Sequence, residues 1–132
     1  MKNERRQVRI TFEHGLRPKP EPHELWAAGI MAEHYNTDVI FLRRGIDKSA
    51  DFRINGTVWE LKSPRGNGER TIENNLREAS HQSQNIIISL YRTKMRPERV
   101  VGRAKHYLQN EKNRHIKRLI IISKSGKMID LL

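Results

Sequence analysis

Asp51, Glu60 and Lys62 are the residues whose types and spacing point most directly to chemistry. They flank Asn55-Gly56, which joins two alternating runs, Asp51-Phe-Arg-Ile54 and Thr57-Val-Trp-Glu-Leu-Lys62. Asn-Gly accommodates the positive φ that a two-residue hairpin turn requires at both central positions. A hairpin closed there sets Ile54 opposite Thr57, Arg53 opposite Val58, Phe52 opposite Trp59 and Asp51 opposite Glu60. Side chains alternate between faces, so Phe52, Ile54, Trp59 and Leu61 share a core side, and Asp51, Glu60 and Lys62 share the other. Two carboxylates directly opposed have Cβ atoms roughly 4.5–5.5 Å apart and repel unless something compensates them. Mg²⁺ or Mn²⁺ does this well, since both prefer oxygen ligands and are often held by one or two carboxylates plus water and phosphate. Lys62 would then orient an attacking water or stabilise charge developing on a phosphate. The expected chemistry is metal-assisted phosphodiester hydrolysis. A surface hairpin whose acids merely pair with Lys62 and Arg53 is the competing reading. Glu-x-Lys by itself is expected by chance in this composition, so the weight rests on the register.

The surrounding elements follow from periodicity and punctuation. Pro18, Pro20 and Pro22 punctuate a basic lead-in, in which Val8, Ile10 and Phe12 alternate as a short edge strand would. A helix is predicted from Pro22 or His23 to about Asn36, with Leu25, Ala28, Ala32 and Tyr35 as its buried stripe. Val39 to Leu42 reads as a buried strand, and 43–50 as a polar connection. After the loop Pro64-Arg-Gly-Asn-Gly68, Thr71 is expected to cap a second helix that buries Ile72, Leu76 and Ala79. Asn85 to Leu90 reads as a strand buried on both faces. A third helix starts near Pro97, with Val100, Val101, Ala104 and Leu108 inward. Leu119 to Ser123 is a further strand, turned by Ser125-Gly126 into 127–132. The predicted class is α/β (α+β), a single domain with a mixed sheet flanked by helices. Residues 1–21 form a basic arm and 22–132 the functional domain.

Composition narrows the function. The 132 residues carry 26 Lys+Arg against 15 Asp+Glu, a net charge of +11, and no cysteine. That length and apolar content suit one core. The lack of cysteine excludes a disulfide scaffold, a Cys-ligated zinc site and thiol catalysis. No apolar run approaches the roughly 18 residues of a membrane span, and residues 1–22 lack the apolar stretch of a signal peptide. The expected partner is a polyanion, most simply nucleic acid, and not a membrane.

The acid opening one strand, Glu-x-Lys on the next, and the helix that follows resemble the PD-(D/E)XK nuclease superfamily. So does the order around the hairpin, an α-β-β-β-α-β core of the restriction-endonuclease type. That resemblance implies that Glu24, early in the first helix, joins Asp51 and Glu60 as a metal or water ligand, and that Gln82 supports the site from the second helix. Ala50 stands where the superfamily has proline. The segments Ala50–Pro64 and Thr71–Leu76, with Ala79, Gln82 and Asn85–Ile88, resemble more specifically the C-terminal tRNase domains of CdiA-type contact-dependent inhibition toxins. This implies an RNA endonuclease directed at tRNA, neutralised by a cognate immunity protein and acting in the cytoplasm of a target cell. It also implies either an excised toxin domain or a stand-alone relative.

Other residues are weighed beside these. His23 could act as a base or contact phosphate, although a capping or surface role is the more ordinary one at a helix start. His81 and Glu33 are expected to be solvated, and Trp26 and Trp59 to be core. Arg65, Arg70, Arg77, Arg99, Arg103 and Lys105, with Lys94 and Arg96, are candidates to track phosphates. Three alternatives remain open: a metal-independent RNase of the barnase or colicin kind, a resolvase-like DNA nuclease, and a non-catalytic nucleic-acid-binding module.

Overall fold

A computed structural model describes residues 7–13, 19–43 and 50–132. Most of the predicted 43–50 connection lies outside the described residues, as does Pro18 of the lead-in. Seven strands form one mixed sheet, in spatial order the same as chain order: β1 (Ile10–Phe12), β2 (Val39–Phe41), β3 (Phe52–Ile54), β4 (Thr57–Lys62), β5 (Asn85–Ser89), β6 (Arg118–Ile122) and β7 (Met128–Asp130). Among the described residues three α-helices accompany it, α1 (Pro22–Tyr35), α2 (Thr71–Ser80) and α3 (Pro97–Leu108), with a short 3-10 turn at Glu111–Asn113. The pairs β1–β2, β4–β5 and β5–β6 are parallel; β2–β3, β3–β4 and β6–β7 are antiparallel. The edge strand read from Val8, Ile10 and Phe12 is β1, so the basic lead-in contributes to the sheet.

The period of two in the isoleucine strands builds the layers. Ile87, Ile120 and Ile122 pack with α1, β2, β3, Trp59 and Leu61 on one side of the sheet. Ile86, Ile88, Leu119 and Ile121 pack with α2 and α3 on the other. Each isoleucine-rich strand is therefore covered on both faces, as parallel strands usually are. Phe52, Ile54, Trp59 and Leu61 all lie in the first of these cores, the side expected for them.

The hairpin register is the predicted one from the turn to Phe52, with Ile54 facing Thr57, Arg53 facing Val58 and Phe52 facing Trp59. Asn55 and Gly56 both adopt positive φ, 50° and 79°. The ladder then departs from strict alternation at Asp51, as described below. In α1 the deepest residues are Ala27, Ala28, Met31 and Ala32, while Leu25 and Tyr35 of the predicted stripe are only partly buried. Leu25 to Ala32 is apolar around most of the helix, so periodicity cannot single out the innermost face.

Candidate functional site

Five segments converge on a cleft of about 490 Å³ at the carboxyl ends of β4 and β5. Its walls are Lys19, Glu21, His23 and Glu24 around the start of α1, Asp51 before β3, Glu60 to Ser63 of β4, Asn75 of α2, and Arg92 after β5. Glu24, Asp51, Glu60 and Lys62, far apart in sequence, line the same cavity. Carboxyl ends of parallel strands are where open α/β sheets commonly place ligands, because the following loops diverge there.

Asp51 enters by way of a bulge. Its N–H donates to the Trp59 carbonyl at 2.9 Å, although Phe52 is the residue paired with Trp59. Asp51 and Phe52 thus oppose a single residue, and the expected one-to-one facing of Asp51 and Glu60 is replaced by a β-bulge. The Asp51 carboxylate takes up the interrupted ladder, accepting the Leu61 N–H through Oδ2 at 2.7 Å. Its C=O meanwhile accepts the Leu42 N–H at 3.0 Å. One accepted bond leaves the carboxylate with further lone pairs.

Glu60 is 7% exposed. Lys62 Nζ lies 3.8 Å from Glu60 Oε2 and 3.4 Å from Glu78 Oε2 of α2, so its ammonium is held between two carboxylates. On α1, Glu24 Oε1 accepts the Glu21 N–H at 2.9 Å, the return half of a capping box that fixes the helix start. Glu21 Oε2 is 3.3 Å from His23 Nδ1 and 4.0 Å from Arg92 Nη1. Arg92 is tied down by Ser63, donating from Nε to Oγ at 3.0 Å and from Nη2 to the carbonyl at 2.7 Å. His23 is buried rather than at the surface, contrary to the sequence expectation. Burial lowers its pKa below 6.5 and Arg92 lowers it further, outweighing Glu24 and Glu21.

The donor set suits a hard divalent cation. It is dominated by carboxylate oxygens, gathered into one cavity of a protein whose net charge is +11. Among the described residues, the three ligand atoms gathered within 4.8 Å of one another are those of Glu21, His23 and Glu24, an imidazole nitrogen beside two carboxylates, whereas Asp51 and Glu60 line the same cavity without joining that group.

Gln82 is not in this cleft. It follows α2 at the opposite end of β4, where its neighbour Ser83 donates to the Val58 carbonyl at 2.9 Å. The α2 residue that lines the cleft is Asn75, two turns earlier, with Nδ2 bonded to the Thr71 carbonyl at 2.7 Å. The basic residues also divide. Arg65 is exposed and close enough to act on His23. Arg70 and Arg77 line a second cleft, about 420 Å³, with Glu73, His106 and Tyr107 between α2 and α3. Arg103 pairs with Glu73 at 3.5 Å, while Arg99 and Lys105 are exposed on α3. These six do not form one continuous groove around the acids. His81 and Glu33 are exposed and Trp59 is core, as expected, but Trp26 is only partly buried.

Glu21, Asn75 and Arg92 were missed in the sequence. Glu21 carried a usable signal, the acid-x-x-acid spacing of a capping box. Arg92 carried none, because its place in the cleft depends on β5 running parallel beside β4. A larger cavity of about 830 Å³ lies between β1, α1 and the β6–β7 turn. Its lining is mainly apolar, with Val8, Ile10, Leu25, Trp26, Ile30 and Met128 prominent, and it lacks the lysine–carboxylate arrangement.

A seven-stranded mixed sheet with an acid-and-lysine cleft at one end defines the architecture. Residues 48–128 match the family described as the contact-dependent growth inhibition CdiA C-terminal domain, and the chain belongs to that family of toxin domains. A solved structure described as a CdiA-CT/CdiI toxin and immunity complex from Burkholderia pseudomallei shares the fold. Its TM-score is 0.64 at 17% sequence identity, covering 92% of this chain and 98% of that one. No curated protein matches the chain. Among the described residues, no helix is long and apolar enough to cross a membrane.

Proposed function

We propose that this toxin domain is a metal-dependent endonuclease of the PD-(D/E)XK kind that hydrolyses RNA, with tRNA as its target, after delivery into the cytoplasm of another cell. The observation that carries this reading is the convergence of Glu24, Asp51, Glu60 and Lys62 on one cleft of a strongly basic domain. Glu24, Asp51 and Glu60 would hold Mg²⁺ or Mn²⁺, which when bound supplies Lewis-acid polarisation of the scissile phosphate. Lys62, held beside Glu60, positions the attacking water and faces the charge that develops on phosphorus-bound oxygen. Arg92, pinned by Ser63, presents a fixed guanidinium to the same phosphate. Basic residues outside the cleft draw in the RNA backbone, so binding weakens steeply with salt. A cognate immunity protein would neutralise the domain in the cell that makes it.

The test incubates purified protein with total RNA, a tRNA pool and duplex DNA, in Mg²⁺, Mn²⁺ or chelator, and maps product ends. Metal-dependent cleavage of tRNA is expected; cleavage that persists in excess chelator refutes the mechanism, and preferential cutting of duplex DNA refutes the substrate. A second reading has its own observation, the buried His23 with Glu21 3.3 Å from Nδ1. An imidazole kept neutral by burial suits a base acting on a 2′-hydroxyl without metal. Products ending in 2′,3′-cyclic phosphate would identify that route.

A further inference from the structure

An aromatic pair that the hydrolytic chemistry does not use is linked to the cleft through its chain neighbours His23 and Arg92, while Trp26 itself also lines the larger apolar cavity. Tyr91 is 46% exposed, and its ring centroid lies 4.9 Å from that of Trp26 at an interplanar angle of 45°. Each ring adjoins a cleft residue. Trp26 is three residues beyond His23 on α1, hence one turn along the same side, and Tyr91 immediately precedes Arg92. The loop that carries Tyr91 is tightly anchored. Arg92 is fixed to Ser63, Thr93 Oγ1 donates to the Gly66 carbonyl at 2.9 Å, and the Met95 N–H donates to Thr93 Oγ1 at 3.1 Å. Arg92, Thr93 and Met95 turn inward, whereas Tyr91, Lys94 and Arg96 are exposed. The Tyr91 ring packs on Trp26 yet keeps nearly half of the residue's surface in water, on an anchored loop that also carries the exposed Lys94 and Arg96.

We propose that Tyr91, backed by Trp26, is a stacking platform for one unpaired base next to the phosphate held in the cleft, with Lys94 and Arg96 tracking the strand onward. The proposal rests on the nuclease reading and adds that the substrate presents a splayed, single-stranded nucleotide at the cut. An aromatic face accepts any base, and cations beside it follow the backbone; this combination is typical of single-strand binding. A protein partner would also favour an exposed tyrosine, but the two exposed cations on the same loop and the net charge of +11 favour a polyanion.

The test uses the Asp51→Asn chain, to block turnover, and fluorescence anisotropy with a short labelled oligoadenylate and an abasic strand of equal length. Tyr91→Ala in that background is expected to weaken oligoadenylate binding about tenfold and to leave the abasic strand unchanged. Tyr91→Phe should bind both strands as its parent does. Oligoadenylate should also quench Trp26 emission, the other tryptophan, Trp59, being 2% exposed. Equal losses for both strands, or no loss for either, overturn the platform. If Tyr91→Ala instead abolishes only binding of an immunity protein, the pair belongs to a protein interface and the platform is again overturned. The nuclease reading is judged separately, by metal-dependent cleavage with the unmodified chain.

Discussion

The Asp51 carboxylate accepts the backbone N–H of Leu61 at 2.7 Å, so an acid of the cleft is also a structural part of the hairpin. Removing the side chain and removing its charge therefore have different consequences. Asp51→Ala leaves the Leu61 N–H without its acceptor and should cost about 1–3 kcal/mol of stability. Asp51→Asn keeps an acceptor oxygen and should unfold close to the parent in urea. Both should lose cleavage by about a hundredfold or more if the carboxylate holds the metal. Urea titration beside a cleavage assay separates the two effects; full activity in Asp51→Asn removes this acid from the chemistry.

Lys62 lies between Glu60 and Glu78, and only the first of these is buried. Lys62→Ala should reduce single-turnover cleavage about a hundredfold or more, whereas Glu78→Ala, an exposed partner, should change it little. A loss of similar size in both variants would show that the ammonium needs the outer carboxylate for its placement.

Metal affinity can be followed without catalysis. An ion bound only by the folded state stabilises it by about 2.7 kcal/mol at a hundred times its dissociation constant. Thermal melting with increasing Mn²⁺ should therefore rise for the parent chain and stay flat for Glu60→Gln. A rise that survives in Glu60→Gln places the ion elsewhere.

Asn75 and Gln82 make a matched pair on and just after α2. Asn75→Ala should reduce cleavage, since its side chain lines the cleft, while Gln82→Ala should leave cleavage within about twofold, because Gln82 lies at the far end of β4. Comparable losses in the two would restore Gln82 to the site.

His23 links stability to pH. Burial lowers its folded-state pKa below the ordinary 6.5, so the unfolded chain takes up the proton first as the pH falls. The stability associated with the neutral ring is complete above pH 6.5 and is lost as the pH drops through the lowered value. Urea midpoints for the parent and for His23→Gln, measured between pH 7 and pH 5, should converge toward the acid end. Parallel curves would show that this imidazole titrates as it does in water.

Much of the arrangement was legible in the chain. Asn55-Gly56 fixed the turn, and strict alternation then carried Phe52, Ile54, Trp59 and Leu61 to one side and gave the register as far as Phe52. The isoleucine runs announced strands covered on both faces. Legibility failed where tertiary geometry overrides local pattern. A bulge has no composition signature here, so the rerouting of Asp51 was invisible. Gln82 was assigned by resemblance, and only the direction of α2, running back from Lys62 toward Ser83, shows that it lies at the end of β4 far from the acids. His23 and Trp26 sit on a helix apolar on nearly all sides, where burial is decided by what packs against it. Arg92 became a cleft residue only once β5 was known to run parallel to β4.

The cleft takes its walls from positions 19 to 92, and no two neighbouring elements suffice to build it. A nascent polypeptide that has not yet exposed Arg92 lacks one wall of the pocket. The complete cleft therefore exists only after the chain has emerged and folded as far as Arg92, and the order of synthesis sets when it can first close.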